Sequence, residues 1–103
     1  MEQMETIKEL INQGDVNKAI EALDTLLTQS DFAGKDEVYY LRGNAYRKQG
    51  NWQQALNNYQ SAIEINPESP ALQARKMVMD ILEFYHNKRN KIDRLWQKLK
   101  EQS

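Results

Sequence analysis

The 103-residue sequence predicts an all-α chain of antiparallel helix hairpins, about six helices in one domain. Three observations carry that prediction. Apolar residues recur at helical spacing along the whole chain, and only 2 prolines and 4 glycines interrupt them. The stretch from Val38 to Pro67, VYYLRGNAYRKQGNWQQALNNYQSAIEINP, holds a complete helix–turn–helix signal. Gly14-Asp15…Ala19-Ile20 returns 36 residues later as Gly50-Asn51…Ala55-Leu56, which marks an internal repeat.

The elements follow in order. Met4, Ile7, Leu10 and Ile11 make a short amphipathic helix that Gly14 terminates. Val16, Ala19, Ile20, Leu23, Leu26 and Leu27 make a second, with Asp15 placed to cap it. In the third, Val38, Leu41, Ala45 and Tyr46 share a face and Gly50 supplies the stop. Gly43 stands inside that helix, where a glycine costs about 1 kcal/mol against alanine and so marks a close approach by another backbone. Trp52, Ala55, Leu56, Tyr59, Ala62 and Ile63 form the stripe of the fourth helix, and its Ala55 and Ala62 are small enough to permit that approach. Asn66-Pro67 ends it, and Ser69-Pro70 is a strong start for a fifth.

From Leu72 to Tyr85 the fifth helix carries too many apolar residues for one stripe, which predicts cover on two sides. The expected cover is the tail, where Ile92, Leu95, Trp96 and Leu99 form an apolar face. A turn near residues 86–90, with Asn90 and Asp93 capping a new helix, folds it back. The rival is one continuous helix, because Tyr85, Ile92 and Leu99 share a heptad spacing and no glycine or proline intervenes.

Gly43, Tyr46, Gly50, Ala55, Tyr59, Ala62 and Pro67 also fall at the spacings of a tetratricopeptide repeat (TPR), with Tyr39 at its aromatic position. Residues 36–69 therefore resemble a TPR closely. The departure is Leu41, one residue early, with Arg42 in the usual leucine place. Residues 2–35 resemble a divergent repeat, with Ile7 in the place of Gly43 and Leu26 in that of Ala62. This repeat is expected to pack more loosely, and its connector, residues 30–35, is longer than the family prefers. Residues 70–102, a C-terminal helix and a capping helix, are TPR-like at most. The resemblance implies a single TPR-type α-α superhelix over residues 1–103.

Net charge −1 and a sequence pI near 5.8 argue against a nucleic-acid binder, although tyrosines and basic residues interleave between Tyr39 and Lys48. The near-neutral balance hides a gradient: residues 1–37 sum to −6, residues 38–85 to +1 and residues 86–103 to +4. An acidic front and a basic tail attract within or between molecules, and otherwise form solvated surface. With no cysteine, a disulfide frame is impossible and a reducing, cytoplasmic setting is expected. The acidic start MEQMETIKEL reads as no signal peptide, and no apolar run approaches the roughly 20 residues of a membrane span.

Nothing points to catalysis, a metal or a cofactor. His86, the only histidine, lies in the polar stretch where a turn is expected. Glu64, Glu68, Asp80 and Glu83 stand at helix-surface spacings, and no phosphate loop or nucleophile motif is present. The expectation is a non-catalytic scaffold that binds a protein or peptide. Through the resemblance, the groove of first helices is lined by Lys8, Tyr40, Asn44, Arg47, Lys48, Arg75 and Val78. Five of these are polar or basic donors, which favours an acidic peptide or a C-terminal carboxylate. The lysine–asparagine clamp of chaperone-binding TPRs is incomplete: Asn44 and Arg75 match it, whereas Tyr40 and Ala71 do not. The alternative is a self-associating module that dimerises through Ile92, Leu95, Trp96 and Leu99. Their basic flanks, Lys88, Arg89, Lys91, Arg94, Lys98 and Lys100, also suit an anionic membrane or an acidic partner.

Overall fold

Residues 2–29 and 33–101 are described by the computed structural model, and they form α1 (Glu2–Gln13), α2 (Val16–Leu27), α3 (Lys35–Lys48), α4 (Trp52–Ile65) and α5 (Ala71–Glu101). The connector residues Ser30, Asp31 and Phe32 lie outside the described residues, as do the side chains of residues 88–90 and of Ile92. The chain is an all-α superhelix of antiparallel hairpins, α1 on α2 and α3 on α4, with α5 laid against α4.

The two hairpin turns are the same device used twice. Gly14 and Gly50 adopt left-handed φ values of 91° and 78°, which a side chain resists. Asp15 N–H reaches Leu10 O at 2.8 Å and Asn51 N–H reaches Tyr46 O at 2.9 Å, each closing the end of the preceding helix. Asn51 also caps α4 through its side chain, which accepts from Gln54 N–H at 3.3 Å, whereas Asp15 makes no such side-chain bond to α2. Ser69 Oγ accepts from Ala71 N–H at 3.1 Å and starts α5.

The core has two parts. Met4, Ile7, Ile11, Ala19, Leu23 and Leu26 bury the first hairpin against Val38, Leu41 and Ala45 of α3. Ala55, Tyr59 and Ala62 of α4 join Ala71, Ala74 and Val78 of α5 in the second, with Tyr39 and Tyr46 packed at its edge. The first hairpin packs less closely than the second, as expected of a divergent repeat. Gly43 is the reason the second is close. A Cβ at that position would lie 2.5 Å from Cε1 and 2.6 Å from Cδ1 of Tyr59, a fully buried ring. Only glycine lets that ring lie on the α3 backbone.

Arg42, which displaces the family's leucine, ties three helices together. Its Nε donates to Asp24 Oδ1 of α2 and its terminal NH1 group to Asn58 Oδ1 of α4, both at 2.9 Å. The guanidinium also lies 5.2 Å from the Tyr46 ring centroid. Asn58 is buried, and its Nδ2 donates to Gln54 O at 2.8 Å, so Arg42 completes an otherwise unsatisfied amide.

The tail corrects the sequence expectation. No turn forms near residues 86–90: α5 runs unbroken through 31 residues, about 46 Å at 1.5 Å per residue. His86 therefore lies within a helix. Leu95, Trp96 and Leu99 are 61%, 62% and 60% exposed and cap nothing, and α5 is covered chiefly by α4. Two causes are visible in the residues. Neither glycine nor proline stands between Ala71 and Glu101 to break the helix. The buried set Val38, Leu41, Ala45 also returns 33 residues on as Ala71, Ala74, Val78, which puts Lys76 where α3 has Gly43. A returning helix cannot approach that side chain as α4 approaches α3.

Gly43→Ala is expected to lower stability by about 1–2 kcal/mol net, the overpacking cost exceeding alanine's helix propensity gain. Arg42→Ala is expected to cost about 1–3 kcal/mol by stranding Asn58 Oδ1 in the interior. Urea midpoints at unchanged m-value check both.

Candidate functional site

Helices α1 and α3 face each other across an open cleft of about 540 Å³. Ile11 and Leu41, both buried, form its floor. Lys8 and Asn12, one turn apart on α1, make one wall. Tyr40, Asn44, Arg47 and Lys48 make the other, at the i, i+4, i+7, i+8 spacing of a single helical stripe. Five of the expected groove residues thus meet in one place. Asn12 was not among them, although its i+4 relation to Lys8 places it on the same face.

The remaining two lie elsewhere. Val78 is fully buried against α4 and belongs to the core. The 34-residue step from Asn44 leads to it, but the packing repeats after 33, so it answers to the core residue Ala45. Arg75, half-buried on α5, is not among the residues lining the cleft.

The cleft's polar groups are set by specific partners. Lys8 Nζ pairs with Glu5 at 3.2 Å and with Glu37 at 3.4 Å. The Glu5 hydrogen bond and charge, with a smaller push from Glu37, raise the Lys8 pKa above its ordinary value. This cation is therefore already largely answered by carboxylates. Lys48 Nζ donates to Asn12 O at 3.1 Å, which links the ends of α1 and α3. Arg47 makes no ion pair among the described residues. Asn44 Oδ1 accepts from the Tyr59 hydroxyl, so the Asn44 amide turns its two N–H donors away from that bond. The Tyr40 ring packs on Tyr59 with centroids 6.1 Å apart. Burial pushes the Tyr59 hydroxyl up to about 12, against a smaller lowering by Arg47. It stays a donor throughout the neutral range.

Among the described residues no group of three His, Asp or Glu could hold a metal ion, and no helix is long and apolar enough to cross a membrane. Paired helices whose first members share a polar cleft define a helical-hairpin repeat protein. Residues 36–69 match the tetratricopeptide repeat family model. The solution NMR structure of Bacteroides fragilis protein BF1650 is similar at a TM-score of 0.78 and 70% sequence identity, over 82% of this chain and 85% of that one. This chain belongs to the tetratricopeptide repeat family, whose members are generally non-catalytic protein–protein interaction modules. A comparison with curated proteins finds no match.

The raised Tyr59 pKa carries a sign. The neutral hydroxyl is the buried form, so its contribution is whole below pH 10.0, the ordinary value, and is lost as pH rises through about 12. Thermal melts of the parent are therefore expected to fall more steeply over that interval than those of Tyr59→Phe. Parallel curves would show that the hydroxyl ionises as freely folded as unfolded.

Proposed function

We propose that the α1–α3 cleft captures an acidic segment of another protein, a carboxylate being met by Arg47 and Lys48 and oriented by the Asn44 amide. The observation that carries this reading is Arg47: a guanidinium at an open cleft with no ion pair among the described residues, beside a lysine and two asparagines. A guanidinium offers paired donors in the geometry of a carboxylate. Ile11, Leu41 and Tyr40 add an apolar floor on which the ligand's side chains lose water. Lys8, already paired with two glutamates, adds less attraction for a carboxylate than Arg47 does.

A Glu-rich synthetic peptide and its Gln counterpart, titrated by calorimetry, test the proposal. The Glu peptide is expected to bind the parent in a salt-sensitive way, and Arg47→Glu to weaken it at least about tenfold without changing the molar mass. Equal affinity for the two peptides, or an Arg47→Glu chain that binds as the parent does, would refute the charge-based reading.

A further inference from the structure

We infer that α5 pairs with α5 of a second copy of this chain, antiparallel, about a twofold axis near residue 88. Beyond the face that α4 covers, Met77, Ile81, Phe84, Leu95 and Leu99 fall within an arc of about 60° at 100° per residue. Met77, Phe84, Leu95 and Leu99 are exposed and Ile81 is half-buried, with Tyr85 and Trp96 exposed at the edge of the same stripe. Every described side chain from Glu83 to Glu101 is exposed, so none of them is buried by the rest of its own chain.

The spacing selects the occupant. Met77 and Ile81 are one turn apart, as are Leu95 and Leu99, and the midpoint of the two pairs is residue 88. Turning a second α5 about that point sets Met77 opposite Leu99 and Ile81 opposite Leu95, at both ends at once. The charges follow the same symmetry. Asp80 and Lys98 lie at one flank of the stripe, with Arg94 further round on the same side, and antiparallel helices bring like flanks together. Asp80 then falls between Arg94 and Lys98 of the second copy. A parallel pair would instead crowd two α1–α4 bodies at one end. With each ring burying about 150–250 Å² when fully covered, the stripe and its edges offer on the order of 600 Å² per copy. That approaches the roughly 800 Å² per partner of a standard interface. Folding back within the chain is disfavoured by the unbroken helix and by Lys76 at the position where α3 has Gly43.

Light scattering of the intact chain over a hundredfold concentration range tests this. The mass is expected to rise from one chain to two, and Leu95→Asp with Leu99→Asp to raise the dissociation constant about a hundredfold. One chain mass at every concentration would overturn the pairing. Orientation is tested by mixing two charge-reversed chains, Asp80→Lys and Arg94→Glu/Lys98→Glu. Each alone is expected to dimerise more weakly than the parent, and the mixture to form the heterodimer in preference. Equal homodimer and heterodimer populations would overturn the antiparallel register.

Discussion

The contact between the Tyr59 ring and the bare α carbon of Gly43 sets the geometry on which the rest of the structure depends. It fixes the spacing of α3 and α4, and it fixes the ring itself, since the hydroxyl is held on Asn44 and the face lies against Tyr40. Both of those residues belong to the cleft wall. A core contact therefore reaches the proposed binding surface through two side chains: Tyr59 decides which end of the Asn44 amide faces outward and limits where the Tyr40 ring can lie. The elevated pKa of the hydroxyl follows from the same burial, so the orientation persists without any dependence on neutral pH.

The first hairpin has no such contact and is joined by other means. Ile7 stands where the second hairpin has its glycine, so α1 and α2 remain further apart and depend on aliphatic packing. Polar ties then do the registering. Arg42 binds α3 to Asp24 of α2 and to Asn58 of α4, and Lys48 joins α3 to the carbonyl of Asn12. These ties run along both sides of α3. The helix that carries most of the cleft residues is consequently tied to α1, α2 and α4, which suits a preorganised surface.

Much of this was legible in the residues. Gly14, Gly43, Gly50 and Pro67 are backbone requirements, and a backbone requirement survives in one sequence as a residue type at a fixed spacing. The convergence of Lys8 with Tyr40, Asn44, Arg47 and Lys48 was legible for the same reason, because the helix stripe and the 36-residue repeat place them together. Two things were not. The role of Arg42 depends on partners 18 and 16 residues away on other helices, and no periodicity announces a three-helix tie. The position of Val78 depends on a single-residue shortening between the second and third units. Such a shift leaves the local helical pattern intact while rotating every side chain by about 100°. The tail was ambiguous because a heptad stripe serves a returning helix and a second chain equally well.

That rotation also explains how two different surfaces share one side of the superhelix. With a 33-residue step, Asn44 answers to Met77 and Lys48 to Ile81. The polar cleft of α3 and the apolar stripe of α5 are thus the same face of successive first helices, changed in chemistry from charge to oil. A conventional third hairpin would need small residues on the other side of α5, and Lys76 and Glu83 stand there instead. The sequence of α5 is therefore unsuited to a capping partner of the kind α4 gives α3. It is suited to a partner that approaches from the concave side, meets Met77 and Ile81 with aliphatic side chains, and brings cations to Asp80. The proposed pairing with a second α5 meets those conditions.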